Sequence, residues 1–313
     1  MTNYIGIDLG GMSAKGAALD GNGVLHEIYT VPTHKENTPE QTVKALGDLV
    51  KKIAALQDVI GIGIGAPGIV DSKSGTVLCW ENFGWKDVPL MELVEKETGL
   101  PTLILNDANA ATLGEYTFGA AKKYNSAVML TLGTGVGSGI VIDGKIFVGN
   151  KGVGGELGHE VIRFGGEKCT CGRRGCLERY ASASALVRQA QKAMQKNPQS
   201  ALWQLCGGTA SALTGKAVFD AVKANDAAAV AVLRTYTDYV AVGIVNAVNA
   251  FRPEAVIIGG GISVQDELLI RPVQQKVQEI IGAYAPVEVV AASLGNQAGI
   301  YGAAKFAEVG ELI

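Results

Sequence analysis

The sequence predicts an α/β protein built as two halves, and three patterns carry that reading. Short apolar runs of strand character alternate with segments of helical spacing along most of the chain. A unit of apolar run, glycine turn and second apolar run opens the chain at residues 4–19 and restarts at residues 127–142. Helix-forming sequence comes after both units, as two packed α/β layers require. The division between the halves falls near residues 118–122, where Ala120-Ala121-Lys122-Lys123 interrupts the pattern.

The elements run in order along the chain. Residues 4–8 form a first strand ending at Gly10-Gly11, and residues 13–19 a second. Asp20-Gly21-Asn22-Gly23 signals a turn, after which residues 24–31 can return as a third strand. Residues 40–56 carry Val43, Leu46, Leu49, Val50, Ile53 and Ala54 at helical spacing. Residues 59–65 read as a buried strand stopped by Ala66-Pro67-Gly68, and residues 90–98 as a helix ended by Gly99. After a strand at 103–105, Asp107 can cap a helix over 108–118. In the second half, strands at 127–132 and 137–142 lead into a hairpin turn at Asp143-Gly144. Residues 149–176 are glycine-rich and irregular, and residues 181–248 mostly helical. Strands at 255–258 and 287–290 and a last helix at 296–309 complete the chain.

Composition narrows the function classes. The 313 residues suffice for two domains, and 48% hydrophobic against 18% charged residues excludes a disordered chain. A net charge of -3 offers no electrostatic footprint for nucleic acid or an anionic membrane. The N-terminus lacks a basic region and a long apolar run, and no apolar stretch of about 18 residues appears, so neither a secretory signal nor a spanning helix is expected. A cytoplasmic protein is therefore the expectation.

Three of the five cysteines lie between residues 169 and 176, and the spacing His159-x9-Cys169-x-Cys171-x4-Cys176 suits one zinc ion. Four N and S ligands would close the tetrahedral shell, leaving a structural site with no open position. Gly172 and Gly175 permit the tight turns. Three unrelated free cysteines are the alternative. Cys79 and Cys206 stand alone and read as buried apolar residues.

Three glycine turns are candidate phosphate cradles, because successive backbone N–H groups make anion-binding concavities. They are Asp8-Leu9-Gly10-Gly11, Gly133-Thr134-Gly135-Val136-Gly137 and Gly259-Gly260-Gly261. Thr134 can add a hydroxyl donor, and Asp8 is placed to hold magnesium, through water. Each turn alone equally suits a plain turn. Gly63-Ile64-Gly65-Ala66-Pro67-Gly68 matches a dinucleotide fingerprint, but the residues after Pro67 do not open a helix. Gly215-Lys216 ends like a P-loop, yet Ala210 and Ala217 occupy the required Gly and Ser/Thr positions.

Asp107 comes after a strand at a helix start, where a carboxylate can accept a proton from a substrate hydroxyl or simply cap the helix. Glu156 stands three residues before His159, and Glu178 two after Cys176, so the cysteine cluster tethers both. Polyols need several fixed acceptors, and carboxylates supply them.

Together these residues resemble the ROK family of sugar kinases and repressors. The resemblance rests on Asp8-Leu9-Gly10-Gly11, Asn106-Asp107-Ala108-Asn109-Ala110-Ala111, Gly133-Thr134-Gly135-Val136-Gly137 and Glu156-Leu157-Gly158-His159, in that order. The block Cys169-Thr170-Cys171-Gly172-Arg173-Arg174-Gly175-Cys176-Leu177-Glu178 completes it. Glu81-Asn82-Phe83-Gly84-Trp85 and Leu294-Gly295-Asn296-Gln297-Ala298-Gly299 point to the bacterial glucokinases of the family. The resemblance implies an actin/hexokinase-like fold of two α/β domains closing over a cleft. Residues 1–118 would form the first domain, completed by the final helix at 296–313, and residues 119–295 the second. It also implies ATP-dependent phosphorylation of a hexose, glucose first, with Asp107 as base on the sugar 6-hydroxyl. Gly68, Asn82, Asn106, Asp107, Glu156, His159 and Glu178 would contact the sugar, with one His159 ring nitrogen on the sugar and the other on zinc. Asp8, Gly10, Gly11, Gly133, Thr134 and Gly135 would face the phosphates of ATP with magnesium, and Gly260 and Gly261 the nucleoside. A homo-oligomer, dimer or tetramer, is implied as well.

One position departs from the family pattern: Met12 stands where threonine is usual, which removes a hydroxyl near the phosphates. Other sugars remain alternatives, namely N-acetylmannosamine, N-acetylglucosamine, fructose, allose or a β-glucoside, because a few pocket side chains set specificity. A non-catalytic sugar-binding protein is a further alternative. A sugar-sensing repressor would need a DNA-binding domain ahead of a first strand that begins by Tyr4, and none is expected.

Overall fold

The computed structural model describes residues 3–310. The chain divides into two compact units, residues 1–127 with 139–155 and 293–313, and residues 128–138 with 156–292.

The first unit is organised by a five-stranded sheet. β1 (Asn3–Leu9), β2 (Ser13–Leu19), β3 (Tyr29–Pro32), β4 (Val59–Ala66) and β8 (Thr102–Asn106) take the order β3-β2-β1-β4-β8. β1 pairs antiparallel with β2 and parallel with β4, and β4 parallel with β8, so Asp8 is level with Gly65 and Gly65 with Leu105. β3 is shorter than the run expected from residue 24. Leu25 makes only an isolated bridge to Leu19, and pairing with β2 starts at Tyr29. A three-stranded sheet that the apolar patterning did not predict, β5 (Ile69–Asp71), β6 (Thr76–Trp80) and β7 (Trp85–Val88), comes after β4.

Two helices, α1 (Pro39–Ala54) and α2 (Leu90–Thr98), bury Val43, Leu46, Leu49, Val50 and Val94 against this core. Thr38 caps α1 in a capping box with Gln41. α3 (Asp107–Thr117) comes directly after β8, and its N-cap is Asn106, whose Oδ1 accepts from Ala108 and Asn109 N–H at 3.0 and 3.3 Å. The cap expected at Asp107 is therefore one residue earlier. Asn106 has the extended ψ of 146° that a cap needs, while Asp107 is already helical. The strand β10 (Val136–Ile142) enters this unit from the second and turns into β11 (Lys145–Phe147) at Asp143-Gly144.

The last helix of the chain, α10 (Ala298–Val309), packs on β1, β4 and α3. It lies so close that a side chain at Gly6 or Gly63 would collide with its backbone at Ile300 or Ala303. Gly63 is thus a helix-packing glycine, which explains a dinucleotide-like pattern with no helix behind it. The approach is held by Glu115 of α3, which is fully buried. Its carboxylate accepts from Ala120 N–H at 2.9 Å, Leu294 N–H at 2.7 Å and Ser293 Oγ at 3.2 Å.

In the second unit β9 (Ala127–Leu132), β12 (Ala255–Gly259) and β13 (Glu288–Ala291) lie side by side in that order, β12 parallel to β13. Around them stand α4 (Glu178–Ala181), α5 (Ala183–Gln195), α6 (Ala201–Leu205), α7 (Gly215–Lys223), α8 (Ala227–Phe251) and α9 (Arg271–Ile281). Thr214 caps α7, so Gly215-Lys216 is an ordinary helix start. Against the expectation of no spanning segment, α8 is long and apolar enough to cross a membrane by length and composition. Half of that stretch is buried, including Tyr236, Val240 and Ile244, and α8 packs on α5, α7 and α9, which is the setting of a core helix.

Candidate functional site

In the first unit the parallel pairing of β1, β4 and β8 brings three sequence-predicted features to one end of the sheet. At the C-terminal ends of these strands lie Asp8 with Gly10-Gly11, then Gly68, then Asn106-Asp107. That end of an open α/β sheet is where ligands bind, because loops and helix N-termini converge there. Asn106 Nδ2 donates to the Gly68 carbonyl at 3.0 Å, so its amide ties two of the predicted sugar contacts together while it caps α3. Asp107 is exposed at the first helical position, and its Oδ1 accepts from Ala108 N–H at 2.8 Å.

The glycine turn after β1 is closed by a Gly10 N–H to Ser13 carbonyl bond of 3.0 Å. Thr33, buried and not singled out in the sequence, braces it: its hydroxyl donates to the Gly10 carbonyl at 2.7 Å and its N–H to the Met12 carbonyl at 3.0 Å. The Met12 side chain is 87% exposed. Gly11 faces the Phe83 ring, which stacks on Trp80 at 3.7 Å, with Trp85 edge-on to both. This aromatic trio fixes the short helical turn that presents exposed Asn82.

Asp8 is held above the usual carboxylate range by burial, with Lys15 opposing. A carboxyl that keeps its proton more tightly in the fold contributes stability below its unfolded pKa, and that contribution is lost as pH rises through the folded pKa. Asp8→Asn is therefore expected to raise the unfolding midpoint at pH 7 without nucleotide or magnesium, and the gain should shrink toward acid pH. Thermal melts across that range check it; a lower midpoint for the variant at pH 7 contradicts it.

In the second unit the glycine turn 133–137 joins β9 to β10, and Gly133 N–H donates to the Gly135 carbonyl at 3.0 Å. Gly260 packs its backbone on Leu132 at the root of that turn, so two of the three glycine turns are neighbours. Glu178 lies over the turn. Its Oε2 accepts from Val136 N–H at 3.2 Å, and a side chain at Gly135 would collide with its carboxylate. Leu157 N–H donates to Ser138 Oγ at 3.0 Å and His159 N–H to the Glu156 carbonyl at 3.0 Å, which anchors the short turn carrying Glu156 and His159 beside β10. Ser138 left no signal in the sequence that would have separated it from any strand serine.

His159, Cys169, Cys171 and Cys176 converge, their donor atoms all within 4.8 Å of one another. Around a tetrahedral zinc with Zn–S of ~2.3 Å, adjacent sulfurs stand about 3.8 Å apart. Cys171 Sγ lies 3.7 Å from Cys176 Sγ, and Cys169 Sγ 3.7 Å from His159 Nδ1, so donor set and spacing both fit such an ion. Turns at Gly172 and Gly175, both with positive φ, fold the segment round, and a Val161–Cys176 bridge closes it. Burial opposes ionisation of Cys171, but hydrogen bonds from Arg173 and the thiols of Cys169 and Cys176 outweigh it and lower its pKa to about 6. Burial and the same neighbours push Cys176 up to about 12. A divalent cation bound here would favour the thiolate form of its cysteine ligands. Cys169 Sγ also reaches Glu178 Oε1 at 3.6 Å, linking the cluster to the carboxylate over the glycine turn. Of the isolated cysteines, Cys206 is buried as expected and Cys79 is only half-buried.

The chain is similar to known proteins along nearly its whole length. The glucokinase of Halalkalibacterium halodurans is 38% identical over 311 residues, 96% of this chain and 93% of that protein. The glucokinase of Thermotoga maritima is 38% identical over 306 residues, 96% of this chain and 95% of that protein. The structure of a ROK family glucokinase from Streptomyces griseus in complex with glucose and AMPPNP superposes with a TM-score of 0.85, at 37% identity, covering 98% of this chain and 99% of that one. The fold is thus the actin/hexokinase-like α/β fold that the family resemblance implied. The ROK family pattern itself runs from residue 4 to residue 309, nearly the whole of the sequence, and the chain belongs to the ROK family.

Proposed function

We propose that this chain transfers the γ-phosphoryl group of ATP to a hexose, glucose foremost, giving glucose 6-phosphate. The observation that carries the reading is the pairing of Asn106 and Asp107 at the end of β8. Asn106 does the capping and leaves Asp107 as an exposed carboxylate at a helix start, a position suited to accepting the proton of the sugar 6-hydroxyl. Likeness to glucokinases over nearly the full length supports the same reading.

The residues proposed to hold the sugar are Gly68, Asn82, Asn106, Asp107, Glu156, His159 and Glu178. His159 Nδ1 faces Cys169 Sγ at 3.7 Å, which leaves Nε2 for a sugar hydroxyl. Backbone N–H groups of Gly10, Gly11, Gly133 and Gly135, with the Thr134 hydroxyl, receive the phosphates, and Gly260 and Gly261 lie against the nucleoside. Asp8 is the carboxylate for a magnesium ion, which when bound draws charge off the transferring phosphoryl group. A structural zinc at His159, Cys169, Cys171 and Cys176, when bound, supplies a closed tetrahedral clamp. The functional domains proposed are residues 1–118 with 296–313 and residues 119–295. The protein works in the cytoplasm, where ATP is supplied, as a homo-oligomer.

A coupled assay of ADP release across a hexose panel tests the substrate. kcat/KM is expected to be highest for glucose; a higher value for N-acetylmannosamine, N-acetylglucosamine, fructose, allose or a β-glucoside overturns the choice of sugar while leaving the kinase reading intact.

A further inference from the structure

A second polar cavity lies in the second unit, away from the glycine turns. It measures about 150 Å³ and is lined by Arg163, Arg179, Arg188 and Lys192 against a single carboxylate, Glu167. With Glu178 also acting on Arg188, four cations face two carboxylates, a local positive excess in a chain whose net charge is -3. Glu167 is already engaged, bonded to Lys192 at 2.8 Å and 3.8 Å from Arg179. Arg163 and Arg188 have no ion-pair partner among the described residues, and Arg188 donates only to the Arg179 carbonyl, at 2.9 Å. The Nε of Arg179 is buried without any hydrogen-bond partner. A buried guanidinium N–H without a partner, such as Arg179 Nε, is costly unless an anion joins it. Burial and the nearby Arg179 charge weaken the hold of Arg188 on its proton, with Glu167 and Glu178 opposing.

We propose that this cavity binds the phosphoryl group of a small phosphate monoester. Guanidinium forks match phosphate oxygens in pairs, and the dianion balances most of the excess charge. The volume admits a phosphoryl group. The aromatic wall where Tyr180 meets Tyr239, rings 4.8 Å apart, leaves an apolar side for the carbon skeleton.

The site has a mechanical link to the residues described above. Arg179 and Glu178 are consecutive on α4, a helix of four residues, and Glu178 lies over the glycine turn. An anion that draws Arg179 toward Arg188 also shifts Glu178. That consequence rests on the proposed role of Glu178 in sugar binding; the binding itself does not.

Calorimetric titration of the full chain, saturated with ADP and magnesium to fill the phosphate turns, separates the two. Inorganic phosphate and glucose 6-phosphate are the titrants. Both are expected to bind the parent protein, and both should weaken by about tenfold or more in an Arg163→Gln, Lys192→Gln double variant whose two exposed side chains are not needed for folding. Arg188→Gln should weaken them likewise. Tighter binding of glucose 6-phosphate that the variants also weaken assigns the apolar side to its sugar, and equal, variant-sensitive binding assigns the phosphoryl group alone; either supports the site. No binding, or binding that the variants leave unchanged, overturns it. If the chain proved to phosphorylate no sugar, the titration would still read the same.

Discussion

Asp107→Asn is expected to leave the fold and sugar affinity intact and to lower kcat on the order of 10²–10⁴-fold, the usual worth of a positioned general base. The helix start does not depend on Asp107. The cap bonds to Ala108 and Asn109 come from Asn106, and Asn106 also reaches the Gly68 carbonyl. An amide at position 107 keeps the shape and can still accept from Ala108 N–H, but it cannot take a proton from a hydroxyl. Because phosphoryl transfer depends mainly on positioning and charge stabilisation, residual turnover should survive. Steady-state kinetics with a direct measure of glucose binding checks this. Turnover within a few-fold of the parent at unchanged affinity would show that Asp107 is not the base.

Stripping the metal is expected to weaken sugar binding before nucleotide binding. His159, Cys169, Cys171 and Cys176 hold Glu156 through the short 157–159 turn and Glu178 through Cys176 and the Cys169 contact. The Gly10-Gly11 turn, by contrast, is braced by Thr33 in the first unit. Cys176→Ser should abolish stoichiometric zinc. A structural ion also contributes folding free energy, so the second unit should lose stability. Metal content by atomic absorption, glucose affinity and ADP affinity, measured on one chelated sample, give the comparison. If glucose affinity survives demonstrated loss of the metal, the clamp role fails.

What the sequence revealed and what it withheld have physical reasons. The convergence of the cysteine cluster was legible because four N and S donors sit within eighteen residues at a spacing that suits one ion. The strands β1, β4 and β8 were legible as apolar runs stopped by glycine or a cap residue. Their parallel register, which puts Asp8, Gly68 and Asn106-Asp107 at one sheet end, is a long-range property that no local pattern contains. The small sheet β5-β6-β7 was missed because its strands are three to five residues long and mix Trp, Cys, Lys and Asp. Asn106 and Asp107 are both good caps, so only backbone geometry decides between them. Thr33, Ser138 and Glu115 act chiefly through partners nineteen or more residues away in sequence, which hides their roles from any window-based reading.

Phosphoryl transfer from ATP to a sugar hydroxyl is open to direct observation by ³¹P NMR of a reaction containing the chain, ATP, magnesium and glucose. The γ-phosphate signal should be lost with matching growth of ADP and of a phosphate monoester assigned to glucose 6-phosphate, all abolished when glucose is omitted. A spectrum in which ATP stays intact, or in which the γ-phosphate appears only as inorganic phosphate whether or not sugar is present, would show that the chain is not a glucose kinase.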